Sequence, residues 1–484
     1  MKKILDPAVL RNITKLMLAL LAALLMLLFV LSSDSLLLER PRQAAVCAAL
    51  LCAAAMLPLI TDRQLDAVSL TVAALGAAAL IFVRICLFHY ASADYTEFLE
   101  QWVEDMRPLC FSQAVQSDIG NYNVPYEYLL FAISRTDWNS LYAIKTVSCL
   151  FDVLGACYMM KLCAHYTDSI PARVVAYLAV LALPTVWLNS AYWAQCDMLY
   201  AALCLGMLYH MLKKQSIPAV LLWALALCIK LQAIFALPVL LLGLFTRRIR
   251  LRSLVWAPVV FAVCLLPALL GGKTLESCLQ IYADQSELYP QMHLNAPSLW
   301  VLLGHVEVEP FGKAALFLAG CAALVFLYLC WQWRDGLSDE LLPMVFFTAV
   351  LLLPFTLPHM HDRYFFLADL ASLLVFLQNH RRWPLPLIMV LASYSCYRAF
   401  LMYQNPVLDM KWHAIMLLAL LGWLLHTVFT KMHTIAAKTE TLPVEPLQKI
   451  HSEPLSQDMV SSADSPFLSA ADAAETEPNP EPNL

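Results

Sequence analysis

"IPAVLLWALALCIKLQAIFALPVLLLGLFTRRIRLR", residues 217–252, is a long apolar run interrupted by Lys230 and closed by the most basic loop in the chain. Read as one membrane crossing, it would put "RRIRLR" on the side opposite Lys213 and Lys214, against the tendency of basic loops to share one side. It would also leave Lys230 near mid-membrane, where a lone ammonium costs several kcal/mol. Both conflicts vanish if 217–229 climbs, the chain turns at "IKLQAIF", and 233–246 descends. Each leg is then about 14 residues, or about 21 Å at 1.5 Å per residue. That falls short of a hydrocarbon core of about 30 Å. The turn is therefore sunk below the surface, and Lys230 requires a protein-lined, wet cavity there.

The rest of the chain has the same character. Of 484 residues, 61% are hydrophobic and 14% charged, against roughly 45–50% and about 25% in soluble domains. Apolar runs recur at about 13–32, 43–60, 66–89, 139–163, 172–190, 197–212, 217–246, 254–270, 314–333, 341–358, 365–378, 384–402 and 409–429. Such runs predict an all-α polytopic membrane protein. Strict alternation is absent, which excludes a β-barrel. The first run is too long for a cleaved signal core and reads as a signal anchor. Lys2, Lys3, Arg11 and Lys15 place the N-terminus in the cytoplasm. With the hairpin counted as two, the chain makes fourteen crossings in a bundle of about 13–14 transmembrane helices, with both ends inside. "WRDGLSDE" (333–340) and "NHRRW" (379–383) are then cytoplasmic, and "MHDRY" (360–364) is external.

This divides the chain into N-terminal helices (1–89), an external loop (90–138), a core with the hairpin (139–270), a second external loop (271–313), C-terminal helices (314–430) and a tail (431–484). The tail ends "AAETEPNPEPNL", cannot bury a core, and reads as disordered. Fifteen cysteines are scattered through apolar runs without CxxC spacing and read as small hydrophobes. No phosphate-binding glycine loop or zinc signature is present, and nothing points to nucleic acid.

The topology sends the unusual polar clusters to one face. "SADYTEFLEQWVEDM" (92–106) has Tyr95, Phe98, Leu99, Trp102 and Met106 near helical spacing, which predicts an amphipathic interfacial helix. Asp94 stands at its N-cap position, where a purely structural role would suffice. "GNYNVPYEYLL" (120–130) offers Asn121, Tyr122 and Tyr126, suited to an interfacial belt or to sugar recognition. "LNSAYWAQCDMLY" (188–200) offers Asn189, Gln195 and Asp197. Lys230 and Gln232 stand at the hairpin tip, and His361, Asp362 and Arg363 at the next external rim. Together with Glu97, these are the candidate substrate-binding residues. A tuned carboxylate can take a proton from an acceptor hydroxyl. Lys230, Arg363 and His361 can neutralise a phosphate leaving group, with Asp362 orienting a neighbour. Asp152, inside a span, reads as a structural hydrogen-bonding residue.

From residue 90 to about 375 the chain resembles the bacterial relatives of the eukaryotic GPI mannosyltransferase 2, within the GT-C membrane glycosyltransferases. The resemblance rests on "ADYTEFLEQW", "GNYNVPYEYLL", "LNSAYWAQCDMLY", "IKLQAIFALP", "LNAPSLW" and "MHDRY", in that order. The family commonly has Gly where Ala194 stands and Glu where Asp362 stands. It implies a GT-C bundle and inverting transfer of a sugar, mannose by family expectation, from a polyprenyl-phosphate donor. The acceptor would be a glycan, lipid or protein, with no cofactor and no metal, in a bacterial plasma membrane. The first-loop aspartate, the family's general base, carries over to Asp94. A lipid-linked sugar flippase and a non-catalytic subunit of a glycosyltransferase complex are the competing expectations.

Overall fold

The computed structural model describes residues 40–287, 291–304 and 308–440. The expected crossing at 13–32, the basic residues around it, and the tail from 441 onward lie outside the described residues. The chain is an all-α, multi-pass membrane protein. Among the described residues, seven helices are long and apolar enough to span a bilayer, and a bent pair makes an eighth. Five further apolar helices of 10–17 residues fill the bundle.

The first helices are α1 (Pro41–Thr61) and α2 (Ala67–Cys86). The Asp66 carboxylate starts α2 by accepting the Ser69 N–H at 2.8 Å. The expected amphipathic segment follows as a π-helical turn, Tyr95–Leu99, running into α3 (Glu100–Met106). The wider turn rotates the register, so Tyr95, Leu99, Val103 and Met106 point inward. Phe98, expected on the buried stripe, is instead exposed. Next come α4 (Phe111–Gln116), α5 (Val124–Ser134) and the long α6 (Ser140–Tyr166), which Asn139 caps through the Tyr142 N–H at 3.1 Å.

The expected span at 172–190 is broken. α7 (Ile170–Ala182) meets α8 (Pro184–Trp187) at a bend of 44°, and α8 leads into a second π turn, Leu188–Tyr192. Pro184 causes the break by forcing Leu183 into extended backbone. α9 (Asp197–Leu212) and α10 (Ser216–Ile229) follow. At Lys230 the chain is extended, with φ −152° and ψ 131°. A 3-10 turn (Leu231–Ala236) and α11 (Leu237–Phe245) complete the segment.

This segment does turn back. The Ser216 hydroxyl donates to the Arg248 carbonyl at 3.4 Å and accepts the Arg250 N–H at 3.0 Å. A straight helix would hold those residues about 50 Å apart at 1.5 Å per residue. Lys230 is therefore the tip of a short-legged hairpin.

The chain continues with α12 (Trp256–Leu270), α13 (Leu275–Glu287), β1 (His293–Leu294), α14 (Leu299–Leu302), α15 (Val308–Gln332), α16 (Leu342–Thr356), β2 (Met360–His361), α17 (Phe366–Gln378), α18 (Pro384–Leu401) and α19 (Met410–Glu440). α15 starts inside the stretch expected as loop. Residues 431–440, expected in the tail, instead continue α19. β1 pairs in parallel with β2, and the Trp300 indole donates to the Thr356 and Leu357 carbonyls. The strand pair fastens the 291–304 segment onto "MHDRY", and the indole fastens it to the end of α16 just before.

Polar links sort the loops by end. Arg173 pairs with Asp62, His165 and Arg248 both meet Asp339, and Gln378 donates to the Glu340 carbonyl. Lys213, Lys214, Arg247 to Arg252, Arg381 and Arg382 lie in loops joined to this basic end. Asp94, residues 120–126 and 188–197, Lys230 and residues 357–364 gather at the other.

Candidate active site

Asp94 reaches its place through a buried lysine. The Lys145 ammonium, on α6, donates to the carbonyls of Leu87 at 2.9 Å, Phe88 at 3.3 Å and Tyr90 at 2.6 Å. It thereby satisfies the orphan end of α2 and turns the chain toward the site. Tyr90 stacks on Tyr192, with ring centroids 3.8 Å apart. Ser92 donates to the Trp193 carbonyl at 2.8 Å and accepts the Tyr95 N–H at 3.3 Å. Ser92, not Asp94, is therefore the cap. The expected cap position belongs two residues earlier, and the Asp94 side chain is released for other work.

Its carboxylate is held asymmetrically. Oδ2 accepts from Trp193 Nε1 at 2.9 Å, Gln195 Nε2 at 2.7 Å and an Arg363 guanidinium nitrogen at 3.3 Å. Among the described residues no hydrogen bond engages Oδ1, and the side chain is 18% exposed. One oxygen is fixed by three donors and the other is open.

Trp193 and Gln195 both face Asp94 because Ala194 between them adopts φ +67°. Left-handed backbone costs an alanine roughly 1–2 kcal/mol. The Gln195 carbonyl oxygen in turn accepts the Tyr122 hydroxyl at 3.0 Å, and Tyr126 packs against Tyr122 at 4.6 Å.

Beside Asp94 lies a second carboxylate with two cations. Asp197 opens α9, with Oδ1 2.5 Å from Lys230 Nζ and Oδ2 3.6 Å from Arg363 Nε. Asn189, on the π turn, donates to Asp197 Oδ2 at 2.6 Å. Arg363 also lies 5.3 Å over the Trp193 ring, and Lys230 lies 5.6 Å from the Tyr122 ring centre. Arg363 thus bridges Asp94 and Asp197, and Asp197 carries most of the compensation for the buried Lys230 charge.

A cavity of about 710 Å³ opens from this cluster. Asn121, Tyr122, Lys230, Gln232, His359 and Arg363 line its polar part. Its other wall is mainly apolar, built from the hairpin tip, α15 and the end of α16, including Phe235, Leu316 and Leu353, with Lys313 on α15 the charged exception. Such a shape accepts a ligand with an anionic head and a hydrocarbon chain.

The sequence candidates distribute unevenly. Asn121, Tyr122, Lys230, Gln232 and Arg363 line the cavity, while Asp94, Asn189, Gln195, Asp197 and Tyr126 form the network behind it. Glu97 does not join: it is exposed on the outer side of the π turn. His361 and Asp362 are buried and face away, pairing with each other at 2.5 Å beside Phe400. His359, at φ +60°, presents the imidazole that does line the cavity. Asp152 is structural: it pairs with Arg84 at 3.0 Å and accepts the Ser190 hydroxyl at 2.6 Å. Trp193, the indole donor to Asp94, is a candidate position not singled out in the sequence, and His359, in the polar stretch that also holds His361, lines the cavity in its place. Compared with known proteins, the chain matches no family model and no curated protein.

Proposed function

We propose that the chain is a membrane glycosyltransferase that moves a sugar from a polyprenyl-phosphate donor to an acceptor hydroxyl, with inversion at the anomeric carbon. The observation that carries this reading is the Asp94 carboxylate: one oxygen is held by three donors and the other is open, beside a cavity with cations at one end and an apolar wall. In this reading Asp94 Oδ1 takes the proton of the acceptor hydroxyl as its oxygen bonds the anomeric carbon. The bond from that carbon to the donor phosphate breaks, and polyprenyl phosphate leaves with the electron pair. Lys230 and Arg363 line the cavity where that charge develops, and preorganised cations in a dry site are worth far more than in water. The lipid chain follows the wall formed by α15 and α16. The basic end is the cytoplasmic one by the positive-inside rule, which puts the reaction on the external face. Mannose, from the resemblance, is the first sugar to try.

A lipid-linked sugar transporter is the second reading, favoured by two broken segments, at Pro184 and Lys230, that converge on charged groups. The test is transfer of radiolabelled sugar from polyprenyl-phosphate mannose into membrane extracts, with Asp94→Asn as the paired variant. The expected result is transfer that falls at least about 100-fold in the variant, the loss typical of removing a general base. Transfer that survives in Asp94→Asn overturns the assignment of the base. Passage of lipid-linked sugar across proteoliposomes with no glycosidic bond formed selects the transporter.

A further inference from the structure

At the basic end, remote from Asp94, lies a second cavity of about 570 Å³. Its walls come from four places: Tyr166 at the end of α6, the loop before α16, the end of α17 with Arg382, and one turn of α19 with Thr430, Lys431 and Thr434. The walls are held together at close range. Gly336, in the loop before α16, lies so near α19 that a Cβ there would sit 1.9 Å from the Met432 carbonyl oxygen. Tyr166 donates to the Asp339 carbonyl at 3.0 Å, and Gln378 to the Glu340 carbonyl at 2.7 Å.

We infer that this cavity binds the phosphate headgroup of an anionic phospholipid. Three observations converge. First, Arg382 and Lys431 both line it, and among the described residues neither has a carboxylate within salt-bridge distance. Among the described residues the Arg382 guanidinium donates to the Gln378 side chain, a neutral acceptor, at 3.3 Å. Glu340 is the lone acid in the lining and is exposed. Second, the hydroxyls of Ser338 and Thr430 supply neutral donors beside the cations, while that of Thr434 donates to the Thr430 carbonyl at 2.7 Å. Third, the cavity sits at headgroup depth. Trp331 and Trp383 are 43% and 59% exposed in the segments flanking it, where tryptophans mark the membrane–water boundary. Ile435, in the lining, adds an exposed apolar side chain beside them. Basic pockets between spans at the basic end recognise lipid phosphates in this way. The inference is independent of the reaction proposed for the other end.

The experiment reconstitutes the full chain in nanodiscs of phosphatidylcholine alone, or of an equimolar mixture with phosphatidylglycerol. It reads thermal unfolding together with the lipid retained by the purified protein. The expected result is retention of phosphatidylglycerol and a higher unfolding temperature in the mixture. Retention should weaken about fivefold for each of Arg382→Gln and Lys431→Gln, the value of one cation near an anionic surface. The pair Lys213→Gln and Lys214→Gln, basic but outside the lining, should leave retention unchanged. A parallel arm adds inorganic phosphate to phosphatidylcholine discs. Stabilisation there that Arg382→Gln abolishes, with no selectivity for phosphatidylglycerol, overturns the lipid in favour of a soluble anion. Equal retention of both lipids by the unmodified protein overturns the site itself, whatever the variants do.

Discussion

Asp94 takes its three hydrogen bonds on one oxygen, and unlike Asp152, Asp362 and Asp369, whose second oxygens are buried, its side chain is part-exposed. The indole of Trp193 is the donor that can be removed most cleanly. Its ring packs on Phe400 at 4.9 Å and Tyr397 at 5.1 Å, contacts that a phenylalanine largely keeps. Trp193→Phe is expected to lower kcat/KM for sugar transfer roughly 10- to 100-fold, since a hydrogen bond to a charged group is worth about 1.5–3 kcal/mol. The unfolding temperature should move little by comparison. Unchanged transfer with an intact fold would remove Trp193 from the positioning set. At this scale the charged members were legible because charges are rare in an apolar chain and each demands a partner. Trp193 was not, because an aromatic residue beside an apolar run reads as an interfacial anchor. Glu97 was misplaced because three residues beyond Asp94 is the same face of an α-helix, and the π turn cancels that spacing. His361 failed for a related reason: positive φ at His359 breaks the alternation that would have set both imidazoles on one side.

Among the elements, the hairpin was the most legible, since the direction of its second leg follows from the charge of "RRIRLR". The packing of the external loop was not legible, because it depends on which polar groups a short helix buries. α5 lays Glu127 against Lys273, whose ammonium lies 3.3 Å from both carboxylate oxygens and 3.1 Å from the exposed Asp118. Burial pushes the Glu127 carboxyl up to about 7 from 4.5, with Lys273 opposing the rise. Lys273 itself is raised, because Glu127 and Asp118 together outweigh the burial that works against its charge. An acid whose folded pKa exceeds its unfolded one binds its proton more tightly when folded. The stability it contributes is complete below pH 4.5 and is lost as pH rises through about 7. Relative to Glu127→Gln, the unmodified protein should therefore lose stability across that window, by roughly 3 kcal/mol at most. Hydrogen exchange in α4, α5 and α13 reports it locally. A variant that tracks the unmodified protein across the window would show that Glu127 stays ionised in the fold. Lys273 titrates too far above this range to mimic the effect.

At the scale of the whole molecule, a buried ion pair on α2 and α6 helps tie the candidate-site end to the bundle. Arg84 on α2 and Asp152 on α6 are 1% and 0% exposed, and Asp152 also takes the hydroxyl of Ser190, next to Asn189. Two crossings and the π turn behind Asp197 therefore share a single carboxylate. A pair this deep contributes little net stability, because the attraction only offsets the cost of removing both charges from water. It instead sets how the pieces meet. Removing one member is a different matter, since it strands the other. Arg84→Met should destabilise the fold by about 3–5 kcal/mol. The double variant Arg84→Met with Asp152→Leu, which leaves no buried charge, should recover most of that loss in thermal unfolding. Its sugar transfer should nonetheless remain slower than that of the unmodified protein, because Ser190 keeps only the Val186 carbonyl of its own turn and loses its tie to α6, which sets the register of the turn carrying Asn189. A double variant no more stable than Arg84→Met would mean that the pair is a net source of stability. A double variant that is stable and fully active would mean that the π turn holds Asn189 in place without it.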